Sequence, residues 1–238
     1  MTSSFLRRTS LLCALAGALA AAAPAAADPP TPGGAQAPPR GSTGGVVSAE
    51  GQVAVITRAA TLLRRVARFR GTVAAGEAGR TVTIERLDEP TQTWIAVATA
   101  VVAADGTYLA RWRTDRAGRH RIRAVLHHPG ATAAAAASAE LAMTVHRPAT
   151  STWYGPGFYG RRTACGQRMT RSLLGVAHKR LPCGTQVALL YRGRTITVPV
   201  VDRGPFRPGT RWDLTAATAE ALGFEHTDRI GALPLPGS

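Results

Sequence analysis

Thr152-Trp153-Tyr154-Gly155-Pro156-Gly157-Phe158-Tyr159-Gly160 opens the stretch whose reading decides the fold, and Arg161-Arg162-Thr163-Ala164-Cys165-Gly166-Gln167 continues it. Ala177-His178-Lys179-Arg180-Leu181-Pro182-Cys183-Gly184-Thr185 follows, and Asp202-Arg203-Gly204-Pro205-Phe206 closes it. Glycine and proline punctuate these segments every few residues, which predicts short strands joined by turns. Between them Val187, Leu189 and Tyr191 alternate into Arg192-Gly193, a two-residue hairpin signal. Ile196, Val198 and Val200 alternate on the returning strand, and Asp202 follows on the same face. An acid at the end of an apolar face is paired, caps a turn, or has its pKa raised for work. Thr215 as N-cap and Gly223 just past the end predict a short helix over 216–222, with Asp213 in a structural role near its positive end.

From Ser151 onward the chain resembles the rare lipoprotein A family. Five pieces carry the likeness: Trp153-Tyr154-Gly155, Gly160 with Thr163-Ala164, Ala177-His178-Lys179, Leu181-Pro182 with Gly184-Thr185, and Asp202-Arg203-Gly204-Pro205. The resemblance implies a six-stranded double-psi β-barrel over residues 151–238 and a place for Asp202 in a glycan groove. It further implies a lytic transglycosylase, which cleaves peptidoglycan after N-acetylmuramic acid without adding water. A carboxylic acid protonates the leaving oxygen and the sugar's own C6 hydroxyl attacks, giving a 1,6-anhydro product. On this reading Asp202 is the general acid/base, and His178 hydrogen-bonds substrate, tunes Asp202 or braces its loop. Tyr154, Tyr159, Thr163, Gln167 and Arg203 contact glycan, and Phe158 either joins that wall or packs inside. One departure matters: lytic members carry glutamate where this chain has Gln167, which cannot exchange a catalytic proton. The alternative is therefore a non-catalytic, expansin-like glycan-binding or wall-loosening module on the same barrel.

Upstream, residues 1–27 have the anatomy of a secretory signal peptide: Arg7-Arg8, an apolar run from Leu11 to Ala23, and Ala25-Ala26-Ala27 before the cleavage point. Residues 28–45 are rich in Pro, Gly, Ser and Thr without apolar periodicity, the composition of a disordered linker. Residues 46–147 alternate as half-buried strands do. Val82 and Ile84 share a face, as do Tyr108, Ala110 and Trp112, then His120, Ile122, Ala124 and Leu126, and finally Leu141, Met143 and Val145. About seven strands in this length predict an immunoglobulin-like β-sandwich, serving as spacer or presenting domain, with Trp94 and Trp112 in its core. The run Ala131–Ala139 reads as a loop or short helix, and the expected fold class is mainly β throughout.

Export places the protein outside the cytoplasm, in the secreted or cell-envelope compartment, where cysteines oxidise. Cys165 and Cys183 flank His178 and are expected to form a disulfide; zinc is the competing use, but two cysteines lack further ligands at finger spacing. The adjacent His127-His128 point to opposite faces of a strand, so no metal and no cofactor is expected. The 238 residues carry a net charge of +15, with Lys179 the only lysine. That charge suits anionic partners, peptidoglycan and anionic wall polymers. The arginines are scattered along the sequence rather than gathered on one helix or stripe, so nucleic acid is not an expected partner. No segment after the leader is long and apolar enough to span a membrane, and a monomer is expected.

Overall fold

Alternating apolar positions form strands here because each strand buries one face and wets the other. The computed structural model describes residues 53–128 and 136–236, all within one compact unit. The expected signal peptide and linker lie outside these residues, as does most of the Ala131–Ala139 run. The elements are β1 (Val53–Ile56), β2 (Ala60–Leu62), β3 (Val66–Val73), β4 (Thr81–Asp88), β5 (Thr93–Val101), β6 (Thr107–Arg113), β7 (Gly118–His127), β8 (Ala136–Ala137) and β9 (Leu141–Tyr154). They continue as β10 (Val176–Ala177), β11 (Gln186–Tyr191), β12 (Arg194–Asp202), β13 (Trp212–Thr215), α1 (Ala216–Leu222) and β14 (Asp228–Pro234). The end of the small-residue run, expected as loop or short helix, is β8, which pairs with β7. No helix among the described residues is long and apolar enough to cross a membrane.

The first half packs two sheets face to face. One is β1-β3-β6; the other orders β5-β4-β7-β9, with β2 on β9 and β8 on β7. Their inner faces share one core, in which Phe69, Tyr108, Ala110 and Trp112 meet Ile84, Ile122, Leu126 and Met143. Trp94 departs from expectation: it is only half-buried, with the Arg123 guanidinium 4.2 Å above its ring. Its strand β5 is an outer strand of its sheet, so it has a ladder neighbour on one side only.

The second half closes into a six-stranded barrel. The order β13-β10-β12-β11-β14-β9 is sealed by a β13–β9 pairing. Two of the pairings, β10–β12 and β13–β9, are parallel and the rest antiparallel. This mixed closed barrel agrees with the double-psi architecture, and closure removes exposed sheet edges. Val187, Leu189, Tyr191, Val198, Val200, Trp212 and Leu214 fill it. The predicted hairpin turns at Arg192 and Gly193, both at positive φ (47° and 83°), as a primed turn requires. The predicted helix is α1, with the Thr215 hydroxyl accepting from the Thr218 N–H and Gly223 left-handed at its end. The C-terminal stretch completes the barrel as β14.

One strand belongs to both halves. β9 is 14 residues long. Its first part pairs with β7 and β2, its second with β14 and β13. Pro148 to Thr150, between the two expected domains, are the middle of this strand. Leu63 N–H also donates to His146 O at 2.8 Å, so the sandwich side is tied to β9 just before it enters the barrel.

Candidate active-site cleft

The parallel pairing of β13 with β9 sets Asp213 opposite Thr152. Strand β10 lies between β12 and β13, and Ala177 faces Asp202 on one side and Asp213 on the other. Two inter-strand spacings put these backbones roughly 10 Å apart. The residue between the two acids is an alanine, whose side chain is only a methyl group. The cleft above them has a volume of about 660 Å³. Trp153 and Tyr154 at the end of β9, Phe158, the segment Asp202 to Arg207, Asp213 and His226 line it.

The two acids differ in surroundings. Asp202 Oδ1 accepts from the backbone N–H groups of Ala164 and Arg203, both at 2.8 Å. Its Oδ2 accepts from the Tyr154 hydroxyl at 3.3 Å. Every one of these partners is a donor, so both Asp202 oxygens act as acceptors. Asp213 is half-buried and accepts one bond, from the Thr152 hydroxyl at 2.7 Å. Burial pushes its pKa above the ordinary carboxylate range and the charge of Asp202 adds to the rise, while the Thr152 bond opposes it. Tyr154 is held protonated by burial first and then by the same Asp202 charge. The cleft thus offers a carboxyl that holds its proton more tightly than usual beside one that accepts three hydrogen bonds.

Exposed aromatics form its walls: Trp153 is 39% exposed, Phe158 48% and Phe206 82%. Trp153 is oriented by its Nε1–H donating to Glu225 O at 2.8 Å, and Phe158 meets Tyr154 edge-on at 5.7 Å. Sugar rings stack on such surfaces through their apolar faces. Phe158 is therefore a wall residue, one of its two expected places.

The other expected site residues mostly support the cleft rather than line it. Cys165 and Cys183 are disulfide-bonded, closing a loop with a sequence separation of 18, a constraint contributing about 3 kcal/mol. This bond holds the Thr163 to Cys165 turn, whose Ala164 N–H serves Asp202. Thr163 is buried in that turn. The Gln167 amide nitrogen faces three acceptors, Thr163 Oγ1 at 3.0 Å, Cys165 O at 3.2 Å and Val201 O at 3.3 Å, which share its two N–H donors. The His178 Nδ1 accepts from the N–H groups of Arg180 (3.2 Å) and Leu181 (3.0 Å), which fixes its tautomer with the proton on Nε2. Its ring leans on Trp212 at 4.5 Å, and burial, with Arg211, Arg203 and Lys179 nearby, lowers its pKa. Of the roles open to it, bracing the loop is the one these contacts describe. Arg203 lines the cleft while its guanidinium reaches back to His178 O and Cys183 Sγ. Tyr159 lies beneath the Arg171 guanidinium at 5.0 Å, outside the cleft lining. Among the described residues no cluster of three or more His, Cys, Asp or Glu could hold a metal ion.

Comparison with known proteins agrees with this barrel. Residues 148–234 match the family model described as lytic transglycolase. The resemblance expected from the five motif pieces therefore holds for the barrel. A probable endolytic peptidoglycan transglycosylase RlpA of Synechocystis is 45% identical over 87 residues, 36% of this chain and 27% of that protein. A protein of the same description from Aquifex aeolicus is 45% identical over 86 residues, 35% of this chain and 37% of its own. An endolytic peptidoglycan transglycosylase RlpA from Rickettsia bellii is 39% identical over 80 residues, 32% of this chain and 35% of its own. The chain thus spans about a third of the length of these relatives, and what it shares with them is the barrel.

Asp213, Trp153 and Phe206 are cleft residues that sequence patterns alone did not place there. For Asp213 a signal exists: Trp212 and Leu214 are buried on one face of β13, so the residue between them must face the other way. Its place just before a capped helix suggests the structural role instead. Trp153 has the strand parity of the fully buried Ser151, which argues for an interior place. Nothing local reports that β9 leaves the core at that point.

Proposed function

We propose that the protein is exported to the cell envelope and cleaves peptidoglycan glycan strands there as a lytic transglycosylase. The observation that carries this reading is the pair of carboxyls, Asp202 and Asp213, flanking Ala177 in one aromatic-walled cleft. Their inequality supports a division of labour, and the acid role falls to Asp213 rather than to Asp202. Asp213, with its raised pKa, gives its proton to the glycosidic oxygen as the bond from the muramic C1 breaks. Positive charge building on the ring is stabilised by the Asp202 carboxylate. Asp202 then takes the proton of the C6 hydroxyl as that oxygen bonds to C1. The products are a 1,6-anhydro end and a free hydroxyl, and the two acids exchange their protons with solvent through the open cleft. Attack within one sugar profits from proximity, so no bound water needs positioning.

The alternative of a non-catalytic, expansin-like module rests on Gln167 in place of the family's glutamate. Asp213 weakens it, because the cleft has a second carboxyl without position 167. In this reading the two-sheet half is an immunoglobulin-like presenting module and residues 1–27 are the leader. The test is digestion of purified peptidoglycan, intact and peptide-stripped, by the chain and by Asp202→Asn and Asp213→Asn variants, with products read by mass spectrometry. Anhydro-muropeptides are expected, reduced by roughly 10²–10⁴ in either variant. Wall binding without products would make this a binding module; full activity in Asp213→Asn would return the acid role to Asp202.

A further inference from the structure

The arginines that lie scattered along the sequence are sorted by the fold. Strands β1, β3 and β6 contain no acidic residue. On their outer face Arg68 and Arg70 of β3 and Arg111 and Arg113 of β6 are exposed, opposite the inward Phe69, Ala110 and Trp112. Arg68 stands directly across from Arg111 in the ladder. Like charges facing one another across strands destabilise a sheet. On the second sheet of the sandwich most arginines have acid partners: Arg123 pairs with Glu85, Arg121 with Glu140, and Arg86 and Arg116 with Asp88, while Arg119 and Arg147 are exposed without one among the described residues.

The basic face runs on into a groove of about 720 Å³ between β1 and β3 on one side and β11, β12 and β14 on the other. Arg58, Arg65, Arg68, Arg70, Arg192 and Arg229 line it. Its one acid, Asp228, already accepts from the Tyr191 hydroxyl (2.9 Å) and the Arg229 N–H (2.7 Å), with Arg192 at 4.0 Å. Among the described residues, the side chains of Arg58, Arg65, Arg68, Arg70, Arg111, Arg113 and Arg229 make no hydrogen bond or ion pair. A set of unpaired guanidinium groups, held at a cost to the sheet and without a countercharge in the fold, is an arrangement for an anion from outside.

We propose that this arginine face and groove bind an anionic wall polymer whose charges are phosphodiesters, so that the protein is held on the wall while the cleft works on glycan. The choice of a wall polymer rests on the proposed function; the polyanion site itself rests on the arginines. Three features support phosphodiesters. The planar guanidinium forks two oxygens of one phosphate, and the basic groups of this face are guanidiniums. Arg68 and Arg70, two residues apart on a strand, leave the sheet from Cα atoms roughly 6–7 Å apart, so their guanidinium groups can meet successive charges at about that spacing. Phosphodiesters joined through three-carbon units repeat at a similar interval, whereas carboxylates on peptide side branches do not form such a row. The face also lacks what single-stranded nucleic acid needs. Its exposed apolar residues are Ile56 and Val66, and the aromatic rings of β3 and β6 are all buried, so bases would find no stacking platform.

The test is co-sedimentation of the purified chain with walls before and after hydrofluoric acid, which breaks phosphodiesters and leaves glycan strands. Binding is expected to weaken at least about tenfold on stripped walls, as loss of several phosphate contacts implies. An Arg68→Gln, Arg70→Gln, Arg111→Gln, Arg113→Gln variant should lose as much on intact walls and still cut stripped peptidoglycan like the parent. Single Arg111→Gln removes the facing pair and should weaken binding while its Tm stays level or rises. Soluble poly(glycerol phosphate) should displace the chain from walls, with polygalacturonate and single-stranded DNA at equal charge much less effective. Parental wall binding by the fourfold variant would overturn the proposal, as would displacement by either control polymer at equal charge. Binding to the phosphodiester polymer with no anhydro products would sink the cleavage reading alone, and cleavage with arginine-independent binding would sink this one alone.

Discussion

Tyr154 keeps its proton because burial and the neighbouring Asp202 charge both disfavour the phenolate, so its hydroxyl stays a donor to Asp202 Oδ2. Tyr154→Phe should therefore lower turnover about tenfold, the loss of one bond to a charged group worth about 1.5 kcal/mol, with wall binding little changed. Steady-state cleavage by the two proteins on the same peptidoglycan checks this, and equal turnover would remove Tyr154 from the mechanism. Asp213 has a pH consequence of its own. An acid catalyst is lost as pH rises through its pKa, and that of Asp213 is raised, chiefly by burial. The alkaline limb of the cleavage rate should therefore lie above the ordinary carboxylate range. Thr152→Val removes the one bond that holds this pKa down and should shift the limb further upward. A limb that stays in place in the pH–rate profile of that variant would take the acid role away from Asp213.

Strand β9 couples the halves because its ladder never breaks: Val145 is in register with β7 and β2, and Arg147 already pairs with Ala232 of β14. Where β14 crosses this strand, Gly231 lies against β2. A Cβ there would come within 2.6 Å of Leu62 Cδ2 and 2.7 Å of His146 Cβ. Gly231→Ala should cost about 1–3 kcal/mol, as overpacking does, measured by denaturant unfolding. Because the crowded atoms belong to β2 and β9, the substitution should loosen the groove beside them before it disturbs the cleft. An unchanged unfolding midpoint would show that β2 yields freely.

Across the whole molecule two histidines, His120 and His146, are taken out of water. His146 is almost fully buried and His120 nearly so, and desolvation lowers the pKa of each, partly offset by bonds to Thr61 O and Arg116 O respectively. Folded imidazoles with lowered pKa bind protons less readily than unfolded ones, whose pKa is about 6.5. Their stability contribution is thus present above about pH 6.5 and is lost as pH falls below it. Tm should drop from neutral to mildly acidic pH, and the drop should shrink in His120→Gln; a flat Tm across that range would contradict the burial of both rings. The charge distribution belongs to the same level. A net +15 is compatible with evenly spread arginines, yet among the described residues one sheet pairs most of its arginines with acids and the other leaves all of its own facing outward without one.

Local patterns were legible in the residues themselves. The Arg192-Gly193 turn, the helix between Thr215 and Gly223, the buried faces of Val82, Tyr108, Ile122 and Met143, and the pairing of Cys165 with Cys183 all follow from alternation, caps and cysteine count. Such signals act over a few residues or, for the disulfide, through the scarcity of partners. The five motif pieces added the barrel. What needed the tertiary structure was adjacency between distant strands. Asp202 and Asp213 become a pair because β10 threads between their strands, and the arginines become a face because β3 and β6 pair in register and the barrel stands beside them. Strand order and register are set by closure of the whole sheet, a long-range balance of burial that no short stretch of sequence encodes.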